Sequence, residues 1–232
     1  MSYQINLDEV DVDGAIREAA EEVSGDTRLS FLKKAGIAGG AAMSGGAVLS
    51  AIAPNALAAA GHGRPPASFG KGDIGILNYA LTLEYLEAAF YNGATTANLP
   101  LSSQAAAFLK VVTKDENAHV KFLKTALGSK AAKEPRFDFK GTNTNAEMFM
   151  KTAQVLENTG VHAYSGQALN IKKAAHVKAA VSILTIEARH ASVIGLLNDP
   201  SGEAIAPDGP FDKPFTAAKV LAAVTGTGFI IS

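Results

Sequence analysis

Two pairs of glutamate and histidine, each spaced three residues apart, are the residues of this chain best suited to chemistry. Glu116 and His119 form the first pair, and Glu187 and His190 form the second. Residues three apart lie on one face of a helix, so each pair presents a carboxylate and an imidazole side by side. Carboxylate oxygen and imidazole nitrogen together bind divalent iron, manganese or zinc. Each pair therefore predicts half of a metal site.

Two further glutamates precede these pairs at nearly equal distances along the chain. Glu84 lies before the first pair and Glu157 before the second, and each is followed two helical turns later by a tyrosine, Tyr91 or Tyr164. The chain therefore reads as two copies of one helical pair, each copy supplying half of a two-metal site.

Four helices must position these side chains. From residue 73 onward, apolar residues recur at steps of three and four, the period of an amphipathic helix. Asp73 is expected to cap the first helix and Asn92-Gly93 to end it. The predicted helices span about residues 73–92, 102–127, 145–172 and 174–198. The links between them are short, long and short, which predicts an all-α four-helix bundle with one long crossover between the second and third helices.

The buried stripes of these helices carry an unusual charge. Four glutamates and two histidines occupy positions where the helical pattern calls for apolar residues. Ionised carboxylates buried together repel one another and are costly to desolvate. Two divalent cations would neutralise the four carboxylates. The chain has no cysteine, which excludes disulfides and thiolate metal sites, so we expect iron or manganese held by oxygen and nitrogen.

These residues and spacings resemble the ferritin-like superfamily of di-iron and di-manganese carboxylate proteins. Residues 76–87 look more narrowly like bacterial ferritin-like domain proteins related to desiccation-related proteins. The resemblance implies that Glu116 and Glu187 bridge two ions, that Glu84 and Glu157 are terminal ligands, and that one histidine completes each ion. The implied metal ligands are Glu84, Glu116, His119, Glu157, Glu187 and His190.

The resemblance also assigns roles to residues around these ligands. Tyr91 and Tyr164 are expected to orient the glutamate on their own helix. Glu87 lies one turn after Glu84 and is the rival of Glu84 or an extra ligand, although it lacks a tyrosine seven residues later.

The expected function is redox chemistry at two iron or manganese ions. Dioxygen, peroxide or ferrous iron would be the small substrates of a ferroxidase or a manganese-catalase-like oxidoreductase acting in oxidative or desiccation stress. One alternative is a non-catalytic stress or binding protein that the metals stabilise. Another is a subunit of an iron-storage cage, which would require a homo-oligomer. A net charge of -1 without a clustered basic face argues against a nucleic-acid partner.

The chain outside the bundle divides into three segments. Residues 1–60 form an N-terminal extension in which residues 27–33 resemble a twin-arginine (Tat) signal, except that Leu29 replaces the second arginine. An apolar stretch and a small-residue site at 56–58 follow, which predicts export to the periplasm or beyond by transient export machinery. The alternatives are a membrane anchor or a helix packed on a cytoplasmic protein. Residues 61–72 are predicted as a linker, 73–198 as the bundle, and 199–232 as a tail with a short helix near 215–224.

Overall fold

A computed structural model describes residues 63–231, and the expectations for residues 1–60 lie outside this part of the chain. The described residues are mainly helical, which confirms the all-α prediction. Two two-residue strands, β1 (Arg136–Phe137) and β2 (Ile230–Ile231), pair antiparallel. The helices are α1 (Gly72–Ala97), α2 (Ser103–Leu127), α3 (Ala146–Gln167), α4 (Ala174–Asn198) and α5 (Ala217–Thr227).

The first four helices form a bundle with the predicted long crossover. α1 packs mainly on α2, and α3 on α4. Tyr91 lies two turns after Glu84 and donates a hydrogen bond to Glu157, while Tyr164 lies two turns after Glu157 and donates to Glu84. This reciprocal pattern requires α1 and α3 to run antiparallel. A hairpin after α2 would make α3 parallel to α1, so residues 128–145 must cross to the opposite end of the bundle.

The starts of α2 and α3 match the predicted bounds because each is set by a local cap. The Ser102 hydroxyl accepts a hydrogen bond from the Ala105 amide at 3.2 Å, and the Asn145 side chain accepts one from Met148 at 3.0 Å. Such caps satisfy amides that have no partner inside the helix. Gly128 ends α2 with φ +54, as its position after the last apolar residue predicts.

The end predicted for the first helix is wrong. α1 continues through Asn92-Gly93 to Ala97 and ends where Asn98 takes the left-handed conformation, with φ 50. Gly93 is needed for packing, because a Cβ at this position would overlap the side-chain amide of Asn143. A glycine inside a helix can thus mark close approach rather than a stop.

The role predicted for Asp73 is also wrong. Lys71 is the N-cap of α1, and Asp73 lies within the helix. The Asp73 carboxylate instead accepts hydrogen bonds from the amides of Lys172 and Lys173, at 3.0 and 2.9 Å, immediately before α4. α3 ends at Gln167 rather than near residue 172, and a 3₁₀ turn over Ala168–Asn170 leads from it toward these two amides.

The C-terminal residues pack on the bundle. The Phe215 amide donates to the carbonyl of His162 at 3.1 Å, and a Cβ at Gly166 would overlap the Phe215 carbonyl. α5 follows, close to the predicted short helix, and its Val220 and Val224 join the aromatic core. The segment is therefore part of the folded domain.

α4 is the one helix among the described residues whose length and apolar composition would suffice to cross a membrane. Its inward face carries Glu187 and His190, and both side chains are buried against the other helices. A core helix of a bundle passes the same test, so we assign α4 to the core.

Candidate metal centre

The six predicted ligands lie together in the middle of the bundle. They form two overlapping groups, and within each group one ligand atom per residue lies within 4.8 Å of all the others. Glu116 and Glu187 belong to both groups. The arrangement therefore offers two adjacent metal positions, each with three carboxylates and one imidazole. The groups are Glu84, Glu116, His119 and Glu187, and Glu116, Glu157, Glu187 and His190.

This cluster is buried inside the protein. The four glutamates have 0% of their surface exposed, and the two histidines are buried as well. Several carboxylates in such a volume cannot all be ionised without cations or protons to balance them. The buried carboxylates therefore need bound cations or protons as a counter-charge.

The polar atoms converge without satisfying one another. Nδ1 of His190 lies 3.1 Å from Oε1 of Glu116 and 3.3 Å from Oε2 of Glu157, yet none of the three atoms has a hydrogen-bond partner. Both carboxylate oxygens of Glu187 are also buried without one. Buried polar atoms are nearly always paired, so this set fits a ligand that accepts electron pairs from all of them. A divalent cation is such a ligand.

The other histidine faces the cluster in the same way. Nδ1 of His119 lies 3.2 Å from Oε2 of Glu84, 3.3 Å from Oε2 of Glu116 and 3.2 Å from Oε1 of Glu187. Both histidines thus turn Nδ1 inward, and the two rings lie 6.4 Å apart.

The tyrosines act on the opposite helix, not on their own as expected. Tyr91 of α1 donates to Glu157 of α3, and Tyr164 of α3 donates to Glu84 of α1. Each tyrosine is buried in the core beside the glutamate that it orients. A hydrogen bond of this kind fixes which carboxylate oxygen remains free for a metal.

Asp115 is a site residue that the sequence reasoning missed. Its Oδ2 lies 3.3 Å from Nε2 of His190, the ring nitrogen that faces away from the cluster. The sequence feature that could have identified Asp115 is its position directly before a Glu-x-x-His pair. A helix places a residue at that position close to the neighbouring helix.

Glu87 lies next to the cluster but belongs to neither group. It is 3% exposed, and its carboxylate is accommodated by Gly160, which follows Glu157 by the same three positions as Glu87 follows Glu84. A Cβ at Gly160 would lie 2.6 Å from Oε2 of Glu187 and 3.3 Å from Oε1 of Glu87. The role of Glu87 as an extra ligand stays a prediction.

Without metal, the cluster holds protons. Burial and then the neighbouring carboxylates raise the pKa values of Glu87 and Glu187 well above the usual range. Burial also raises the pKa of Glu116 to about 7, although both histidines act to lower it. Burial acts to lower the histidine pKa values, but the adjacent carboxylates outweigh it. They raise the pKa of His190 to about 11 and that of His119 further.

Two histidines outside the cluster have structural partners. His162 lies 2.8 Å from Asp208 of the C-terminal segment, and His176 lies 2.9 Å from Asp73. Both histidines are partly buried, and each is paired with a carboxylate.

A bundle of two antiparallel helical pairs, with carboxylates and imidazoles converging in its core, defines a metal-binding protein of the ferritin-like class. Comparison with known families agrees, because the family model described as a ferritin-like domain matches residues 72–199, more than half of the chain. The chain therefore belongs to the ferritin-like domain family. The comparison with curated proteins finds no matching relative.

Proposed function

We propose that the protein binds two iron or manganese ions in this centre and uses them for redox chemistry with ferrous iron, dioxygen or peroxide. The observation that carries the proposal is the convergence of buried carboxylate oxygens and imidazole nitrogens on two adjacent positions, with unpartnered atoms of Glu116, Glu157, Glu187 and His190 among them. Hard oxygen donors with two imidazoles and no thiolate favour these metals.

The ligand set divides between the two positions. Glu84 and His119 would serve one ion, Glu157 and His190 the other, and Glu116 and Glu187 would contribute to both. When bound, two adjacent ions of this kind would supply the electrons that dioxygen or peroxide accepts.

The protein contributes orientation and exclusion of water. Tyr91 and Tyr164 each hold one oxygen of a terminal glutamate, and Asp115 holds the outer nitrogen of His190. Leu83 and Val112, which lie close to Glu84 and Glu116 along their helices, are buried apolar core residues. Oriented ligands in a dry site keep their positions while the charge within the site changes.

The cellular context belongs to the same proposal. Protection against oxidative or desiccation stress fits a centre that removes ferrous iron or peroxide. Export by the Tat-like segment would place that activity outside the cytoplasm.

Complete burial of the four glutamate ligands favours a second candidate, a protein that uses the metals for stability without turnover. All four glutamates are fully buried, so a small substrate must enter past the side chains that cover them. Metal bound only by the folded state stabilises that state by linkage. Turnover of ferrous iron or hydrogen peroxide separates the two candidates, because a purely structural centre supports neither.

Elemental analysis tests the proposal. Protein purified without added metal should hold about two iron or manganese ions per chain. The variant Glu116→Gln/Glu187→Gln should hold none. The matched control Glu147→Gln/Glu203→Gln changes two exposed glutamates and should retain them. A folded wild-type chain that takes up neither metal after anaerobic loading would refute the proposal.

A further inference from the structure

The two halves of the centre differ at one position next to the histidines. Asp115 directly precedes Glu116, whereas Ile186 directly precedes Glu187. The ligands and tyrosines are repeated in both halves, but this acidic residue is present in the first half only.

The difference leaves the two histidines with different surroundings. Nε2 of His190 lies 3.3 Å from Asp115 Oδ2. The polar contacts of His119 all run through Nδ1 to Glu84, Glu116 and Glu187, so within residues 63–231 its Nε2 has no partner. Ile186 occupies the place in the repeat from which a carboxylate would reach this nitrogen.

A carboxylate behind a ligating histidine changes the histidine in two ways. It accepts a hydrogen bond from Nε2–H, which keeps the proton on Nε2 and leaves the Nδ1 lone pair directed at the metal. It also makes the imidazole a stronger electron donor. Loss of such a partner typically weakens metal binding 10- to 100-fold. Asp115 is only 33% exposed, so solvent screens its charge incompletely.

We propose that the two metal positions are inequivalent, that the position completed by His190 fills first, and that Asp115 is the positioning residue responsible. The inference rests on the proposed function, since it assumes that both positions take a metal ion. The position completed by His119 then holds the weaker ion. Tyr91 and Tyr164 serve the two positions alike and so do not produce this order. Glu87, whose place in the repeat is taken by Gly160, is also present in one half only, but it lies near Glu187, which contributes to both positions.

Anaerobic titration of the metal-free full chain with Co²⁺, followed by calorimetry and visible absorption, tests the order. The wild type should bind two ions in two steps, separated beyond the statistical difference expected for equal sites. Asp115→Asn should weaken the first step about 10- to 100-fold and leave the second nearly unchanged. Asp212→Asn, which changes an exposed aspartate in the C-terminal segment, is the matched control and should reproduce the wild type.

Histidine variants assign the steps to positions. His190→Ala should remove the tight step and His119→Ala the weak one. Ile186→Asp should supply the missing carboxylate and tighten the weak step, whereas Ile186→Asn should do so less. Thermal unfolding of each variant shows whether it is folded.

The outcomes separate this inference from the proposed function. Two ions bound with equal affinity, or Asp115→Asn weakening both steps alike, would overturn the inequivalence and leave the two-metal centre intact. A folded wild type that binds no Co²⁺, Fe²⁺ or Mn²⁺ would overturn both.

Discussion

Loading the metal-free protein at pH 7 should release at least about two protons for each pair of divalent ions bound. Metal ligands must be deprotonated, so every proton that the empty cluster holds on a ligand has to leave. His119 and His190 have pKa values raised well above 7 and carry one proton each at this pH, and the raised pKa of Glu187 adds to the release. Glu116, with a pKa of about 7, contributes about half a proton more. The same six ligands with ordinary pKa values would release about half a proton in total.

Isothermal titration calorimetry measures this number directly. The observed enthalpy of metal binding is compared between buffers of different ionisation enthalpy at the same pH, and the slope gives the protons released. Because the release is at least about two protons, the overall two-ion constant should rise roughly 100-fold or more per pH unit near neutrality. Glu116→Gln/Glu187→Gln is the control and should give neither metal heat nor proton release.

A release of one proton or fewer would contradict the reasoning. It would mean that the buried carboxylates are not balanced by protons when the centre is empty. The convergent geometry would remain, but the electrostatic argument that metal replaces protons in this core would be wrong.

Four further predictions concern the protons of the cluster, the two tyrosines, the turn before α4 and the C-terminal segment. The free energy of unfolding of the metal-free protein should fall as pH rises from about 5 to about 9, since the folded state binds more protons than the unfolded chain over this range. Urea unfolding measures this free energy, and a rise with pH would contradict the prediction. Tyr91→Phe and Tyr164→Phe should each weaken Co²⁺ binding about tenfold without unfolding the protein, and unchanged titrations would refute their orienting role. Asp73→Ala should cost about 2 kcal/mol in urea unfolding, because it removes a charged acceptor for two amides before α4; a cost near zero would exclude this capping role. Gly166→Ala should lower the thermal midpoint by driving a Cβ into the Phe215 carbonyl, whereas Gly226→Ala, which meets open space, should not.

The ligands could be predicted from sequence because they are charged residues at positions where the helical period calls for apolar ones. Glu84, Glu116, Glu157 and Glu187 fall on stripes that are otherwise apolar, and a helix fixes the direction of each side chain once its period is known. The caps Ser102 and Asn145 were predictable for a related reason, since the groups that they satisfy lie within three residues along the chain.

Features set by contacts between distant segments could not be predicted in this way. Gly93 has the same local sequence whether it ends a helix or admits the side chain of Asn143, and only the path of the crossover decides between them. The pairing of β1 with β2 joins two-residue strands from the α2–α3 crossover and from the C-terminal end of the described chain. The carboxylate of Asp73 serves α4 rather than α1 because the α3–α4 turn approaches it in the fold.

The reciprocal tyrosine bonds explain why the internal repeat forms a single centre. Tyr91 belongs to the first helical pair but orients a ligand of the second, and Tyr164 does the reverse. Each metal position also takes carboxylates from both pairs, because Glu116 and Glu187 belong to both groups. Neither helical pair therefore contains a complete position or the means to orient its own terminal glutamate. It follows that docking of the two halves creates both positions, so ions bound there would stabilise that docking.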